Sequence, residues 1–86
     1  MELLTKNSFL SLSKTEQIVM VINSGKELLT REDESYHMKL YLIFNLFVEL
    51  IYENNKKTIV KVETPSIDLL IQNYKIDNDY SSQLHN

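Results

Sequence analysis

Residues 36 to 64 read YHMKLYLIFNLFVELIYENNKKTIVKVET, and apolar side chains alternate with others through the first part of this stretch. Side chains at even positions share one side of an extended chain, because successive residues of a β-strand point to opposite faces. A helical period also fits residues 36 to 51, so a helix is the rival interpretation. The β-branched segment from Thr58 to Thr64 forms a poor helix and needs a neighbouring strand, which favours an antiparallel meander.

Two short loops predict how these strands pair. If Asn54-Asn55-Lys56 is a three-residue hairpin loop, Leu50 faces Val60 and Glu49 faces Lys61, so apolar residues meet on one face and opposite charges on the other. A tight turn around Asn45, a residue that tolerates left-handed geometry, predicts a second hairpin from strands 36–43 and 47–53. Leu40 is then expected near Leu50 or Val48.

The segment before the meander predicts a helix and a short strand. Ser13-Lys14-Thr15-Glu16 spells a capping box, so a helix should begin at residue 14 and end at Gly25 in the left-handed conformation. The alternative is a hairpin in which a strand over 17–22 turns at residues 23–26. Residues 26–32 are expected to form a short strand, and residues 1–12 fit either helix or coil.

After the meander, Thr64-Pro65-Ser66 predicts a helix start, and a second helix is expected over residues 66–75. The sequence thus predicts an α+β fold with an N-terminal helix, an antiparallel meander of three to four strands and a C-terminal helix. We expect two layers, with both helices on one face of the sheet. A single domain is expected over residues 1–76, and residues 77–86 are expected to form a flexible tail.

The sequence of the predicted strands resembles that of a group of short uncharacterised bacterial α+β proteins. The residues that carry the resemblance are Leu40-Tyr41, the run from Phe47 to Tyr52, Ile59 and a closing Leu69-Leu70 with Tyr74. It covers roughly residues 36 to 76. The resemblance implies strands in this region, and it implies no activity and no catalytic residues.

The composition of the chain disfavours several classes of function. Nine basic against twelve acidic residues give a net charge of −3, so a phosphate-binding surface is not expected and nucleic-acid binding is disfavoured. The chain has no cysteine and its first residues do not spell a secretory signal, so a cytoplasmic location is expected. The apolar run from Leu40 to Tyr52 is shorter than the roughly twenty residues of a membrane-spanning helix. No membrane crossing is expected.

No catalytic or metal-binding constellation is apparent. His37 and His85 have no second ligand at a metal-binding spacing, and His37 is expected to pair with Glu53 at the surface. The serines lack a nucleophile-elbow spelling, and Glu32-Asp33-Glu34 is typical of a solvated turn. We therefore predict no enzymatic activity, no metal and no cofactor.

The most suggestive predicted feature is an apolar patch on the odd-numbered face of the meander. It comprises Tyr41, Ile43, Phe47, Ile51 and Ile59. Residues 1–12, a second copy of the chain or a different protein could cover this patch, and the open edge of strand 57–64 could also pair. The resulting hypothesis is a protein-binding or self-associating module, with a homodimer or another protein as partner.

Two alternative functions come from other classes. One is an all-helical acidic protein of the immunity or inhibitor type, in which residues 34–55 form a buried hairpin arm. The other is a weak single-stranded nucleic-acid-binding module that uses Tyr41 and Phe47 as a stacking surface beside Lys39 and Lys61.

Overall fold

The computed structural model describes residues 4–55 and 57–74 and confirms the predicted α+β class. In chain order the elements are α1 (Lys6–Leu10), α2 (Lys14–Ser24), β1 (Lys26–Glu32), β2 (Tyr36–Ile43), β3 (Leu46–Glu53), β4 (Ile59–Glu63) and α3 (Ile67–Tyr74). The four strands form one antiparallel sheet in the order β1-β2-β3-β4. This sheet excludes the all-helical alternative. The predicted flexible tail, residues 77–86, lies outside the described residues.

The N-terminus of α2 is fixed by the predicted capping box. The backbone N–H of Glu16 donates to the Ser13 hydroxyl at 3.1 Å, and the backbone N–H of Ser13 donates to the Glu16 carboxylate at 2.9 Å. Two of the backbone donors that a helix start leaves unpaired are thereby satisfied. The same helix holds α1 in place, since the Gln17 side-chain amide donates to the carbonyl of Phe9 at 3.0 Å.

Gly25 ends α2 for a different reason from the one the sequence suggested. Its φ is −85° and its ψ is 153°, so the backbone is extended and the prediction of a left-handed residue is wrong. A Cβ atom at this position would lie 2.5 Å from the carbonyl oxygen of Val21. Glycine is needed because the chain turns closely over the last helical turn as it enters β1.

The turn between β2 and β3 has two residues, Phe44 and Asn45, and Ile43 pairs with Leu46. Phe44, not Asn45, takes the positive φ of 55°. Leu40 consequently lies opposite Glu49, so the prediction that it would lie near Leu50 or Val48 on the same side of the sheet is wrong. An even-numbered residue of β2 shares a face with an odd-numbered residue of β3.

The pairing of β3 with β4 is displaced by two residues from the predicted register. Leu50 pairs with Val62 and Glu49 with Glu63, whereas Val60 and Lys61 had been expected. The displacement comes from a longer loop, closed by a bond from Glu53 N to Thr58 O at 2.9 Å, and from an irregularity next to Tyr52. A three-residue loop favours a glycine in the left-handed position, and this segment has none. Even residues of β3 still share a face with Val62.

The two faces of the sheet are covered by different helices. The front face, defined here by Tyr41, Ile43, Val48 and Leu50, packs with Phe9 of α1 and Val21 of α2 in the main core. The reverse face is defined by Met38, Leu40 and Glu49, which are all buried. On this face the Tyr74 hydroxyl of α3 donates to the Glu49 carboxylate. α3 therefore covers part of the reverse face instead of lying beside α2. Because β2 and β3 are buried on both faces, they spell an almost continuous apolar run.

We expect Gly25→Ala to destabilise the fold, because the new methyl group would collide with the Val21 carbonyl. Relief requires a backbone shift, which costs roughly 1–3 kcal/mol of unfolding free energy. Urea unfolding monitored by circular dichroism measures the change. Ser24→Ala, at an exposed position one residue earlier, is the matched control and should be nearly neutral. Equal stabilities for the two variants would contradict the steric argument.

Candidate functional site

The five residues of the predicted patch do not share one face. Tyr41 and Ile43 are buried in the main core, and Ile59 packs against it half-buried. Phe47 and Ile51 lie half-buried on the reverse face, opposite Leu42 and Met38. The expectation of a single patch is wrong because the two-residue turn exchanges odd and even positions between β2 and β3. Residues 4–12, with Phe9, lie over the front-face members.

The most distinctive polar site of the described chain is centred on Glu49, whose side chain is only 4% exposed on the reverse face. Arg31 of β1 spans β2 to meet it, with Nε 3.2 Å from Oε2 and Nη2 3.3 Å from Oε1. Tyr74 of α3 donates its hydroxyl to Oε2 at 2.6 Å. A strand on each side of β2 and a helix thus converge on one carboxylate, which we call the Glu49 cluster.

The electrostatics of the Glu49 cluster follow from burial and from the shared carboxylate. Burial opposes the charge on Arg31, but the hydrogen bonds and charge of Glu49 outweigh it and raise the pKa of the guanidinium. Burial and then the bond to Glu49 raise the pKa of the Tyr74 phenol. The guanidinium also lies 5.5 Å from the centre of the Tyr74 ring, within cation–π range. Tyr74 therefore remains a neutral donor at physiological pH.

Beside the Glu49 cluster, a cavity of about 320 Å³ separates α3 from the reverse face of the sheet. Its lining includes Glu49, Ile51, Glu63, Pro65 and Leu69. Glu63 pairs with Lys61, whose Nζ lies 2.7 Å from Oε1. The predicted pair of Glu49 with Lys61 is therefore wrong, because each of these residues has another partner in the observed register.

His37 is buried on the front face, and its charged neighbour differs from the expected one. Nδ1 lies 3.6 Å from Oε1 of Glu32 on β1, whereas Glu53 is paired with Tyr36 and lies on the reverse face. The ring meets Tyr52 edge-on, with centroids 6.3 Å apart. Within the described part of the chain, Nδ1 has no hydrogen-bond partner. His37 is consequently a core residue of the sheet and not one half of a surface pair.

The proposed stacking surface for nucleic acid is divided between the two faces. Tyr41 is buried on the front face, and Phe47 lies on the reverse face. Lys39 lies on the front face with its Nζ 5.6 Å from the Tyr52 ring, while Lys61 lies on the reverse face. Two aromatic rings on opposite sides of a sheet cannot stack on the same strand of nucleic acid.

The sequence analysis missed the Glu49 cluster, although one signal for it was present. Glu49 interrupts the apolar run between Val48 and Leu50, and a carboxylate at such a position requires a partner when it is buried. The partner could not be chosen from spacing, because Arg31 and Tyr74 come from distant segments. The expected pairing with Lys61 followed from the assumed loop length.

Residues 4–55 and 57–74 contain neither a metal-binding group nor a membrane-spanning helix. No group of three or more His, Asp or Glu residues is placed to hold a metal ion there. None of the described helices is long and apolar enough to span a membrane. Comparison with protein-family models, curated proteins and solved structures finds no match to this chain.

We expect Arg31→Met to lower the unfolding free energy by about 3 kcal/mol, because it leaves the Glu49 carboxylate buried without its cation. Adding Glu49→Leu should restore most of the loss, since replacing both members of a buried pair by apolar groups is often neutral. Urea unfolding of the two single variants and the double variant measures the coupling. Additive losses would contradict a direct pair.

Alkaline stability should depend on Tyr41. Burial, and then Tyr52 and Glu27, raise the pKa of Tyr41 to about 12 from an ordinary value of 10.0. The unfolded chain loses this proton first, so the stabilisation is complete below pH 10 and is lost as pH rises through 12. Tyr41→Phe should therefore reduce the fall in stability over this range. If the unfolding free energy of the variant and the wild type fell equally steeply with pH between 10 and 12, the assignment would be contradicted. Between pH 7 and 9 the two should show the same pH dependence, which serves as the internal control.

Proposed function

We propose that this protein is a non-enzymatic module that associates with a second copy of itself through the reverse face of the sheet. The observation that carries this proposal is a strip of apolar side chains on the reverse face, formed by Leu29, Leu42 and Phe47. Leu42 lies directly opposite Phe47, and Leu29 lies opposite Leu40 on the same face. Leu29 is 36% exposed, and the other two members are half-buried.

Further apolar groups lie next to this strip in the chain. Leu28 is 38% exposed at the bulge beside Leu29, and Phe44 is 58% exposed in the turn that follows Leu42. Phe44 also has a φ of 55°, which is costly for a bulky side chain. Neighbouring exposed apolar residues enlarge the area that association would bury. A small domain gains much from such burial because its own core is limited.

The face of the sheet is a better candidate for the contact than either edge. β1 is bulged and carries charges of both signs, features that oppose edge-to-edge pairing. On β4, the Val60 carbonyl accepts a bond from the Lys14 ammonium at 3.1 Å, and α2 packs against the strand. A two-fold arrangement places the same strip on both sides of the contact, so apolar residues meet apolar residues.

The contacts of the Glu49 cluster support a structural role for Glu49, the most buried carboxylate among residues 4–55 and 57–74. Both carboxylate oxygens are engaged by Arg31, and one of them also by Tyr74. A group that acts as a general base must present a free lone pair to a substrate proton, and these contacts compete with that role. The cytoplasm is the compartment we propose for this function, since the chain contains no cysteine.

Association should be lost when charge is placed on the strip. We expect the wild-type chain to approach twice its monomer mass in sedimentation equilibrium between about 1 μM and about 1 mM, with Leu29→Glu and Phe47→Glu remaining monomeric. Burying an unpaired carboxylate in the contact costs several kcal/mol, which is enough to prevent a dimer at these concentrations.

The matched control is Val19→Glu, which places the same charge at a 51% exposed position on α2. It should associate like the wild type, and circular dichroism should show that all variants keep the fold. A wild-type chain that stays monomeric throughout the range would refute the proposal. Dissociation of Val19→Glu to the same extent would assign the contact to another surface.

A further inference from the structure

The cavity between α3 and the reverse face is lined by both apolar and polar residues. Ile51, Pro65 and Leu69 supply the apolar lining, and Glu63, Thr64 and Asn73 supply carboxylate, hydroxyl and amide groups. Its volume of about 320 Å³ lies at the lower end of the range for small-molecule sites. A ligand of matching shape has a short apolar body and one polar end.

The charged residues of the lining determine which charge the polar end of the ligand should carry. Arg31 and Glu49 line the cavity together and neutralise each other through paired bonds of 3.2 and 3.3 Å. The remaining charged group of the lining is Glu63, whose ion-pair partner Lys61 lies outside the lining. A ligand that pairs favourably with this carboxylate carries a positive charge.

Lys61 is the group that such a cation would replace. Its side chain is 65% exposed and that of Glu63 is 42% exposed, so the ion pair is solvated and weak. Lys61 is not part of the cavity lining. A ligand that brings both a cation and an apolar body into the cavity gains contacts that the lysine side chain does not make there.

We propose that this cavity binds an alkyl ammonium or alkyl guanidinium group. The charged end pairs with the Glu63 carboxylate, and the hydroxyl of Thr64 and the amide oxygen of Asn73 are further acceptors for its N–H donors. The alkyl body packs against Ile51, Pro65 and Leu69. The ligand is either a free small amine or a basic side chain of another polypeptide. No residue of the apolar strip lines the site.

The test is a titration of the full ¹⁵N-labelled chain with n-butylamine and with N-acetyl-arginine methylamide, followed by amide chemical shifts. We expect saturable shifts at Glu63, Thr64 and Leu69 with at least one of the two probes. Tighter binding of n-butylamine assigns the site to a free amine, and tighter binding of the capped arginine assigns it to a peptide side chain. Butyrate and butanol, which lack the cation, should produce no saturable shift at these residues.

Three variants test whether the Glu63 carboxylate is the group that binds the cation. Glu63→Gln should weaken binding about tenfold through the loss of a charged hydrogen bond, and Lys61→Gln should strengthen it by removing the competing cation. Glu53→Gln removes an exposed carboxylate from the same face and should leave affinity unchanged. The proposal is overturned if neither cation binds saturably, if butyrate binds as well, or if Glu63→Gln binds like the wild type. The titration measures binding at the cavity, whereas sedimentation measures self-association. Either proposal can therefore be refuted without the other.

Discussion

The two-residue turn at Phe44 and Asn45 is the constraint on which the rest of this structure depends. An even number of turn residues pairs each odd position of β2 with an even position of β3. Tyr41 and Ile43 are thereby brought to the same face as Val48 and Leu50, where Phe9 and Val21 complete the core. A turn one residue longer would send one strand's apolar side chains to the other face. The cost of this turn is a positive φ at a phenylalanine.

The same turn puts Glu49 among apolar neighbours on the reverse face. A carboxylate buried there needs both a cation and hydrogen-bond donors, and these come from Arg31 and Tyr74. Ile67 and Leu69 of α3 are about half exposed, at 55% and 49%, while Leu70 is buried. The polar contact of Tyr74 therefore specifies where the C-terminal helix lies, in addition to the apolar contact that Leu70 makes. Buried ion pairs often serve this kind of specificity more than they serve net stability.

The position of α3 divides the reverse face into regions with different properties. The strip of Leu29, Leu42 and Phe47 is apolar and suits contact with a like surface. The cavity under α3 has a carboxylate at Glu63 and suits a small cationic group. The Glu49 cluster is internally neutralised and holds the helix that forms one wall of the cavity. The proposed self-association and the proposed cation binding thus depend on distinct sets of side chains.

The sequence by itself determined the elements. Ser13 and Glu16 fix the start of α2 through bonds within four residues, and alternation with β-branched residues marks the strands, because these signals are local. Only the tertiary structure decided which faces meet. Loop length changes the register by whole residues. The strained turn at Phe44 and the irregularity before β4 contain no glycine, so the sequence did not indicate where they occur. The partners of Glu49 were likewise undetermined, since β1 and α3 reach it from segments far apart in the chain, and the energy of a buried carboxylate depends on what surrounds it in three dimensions.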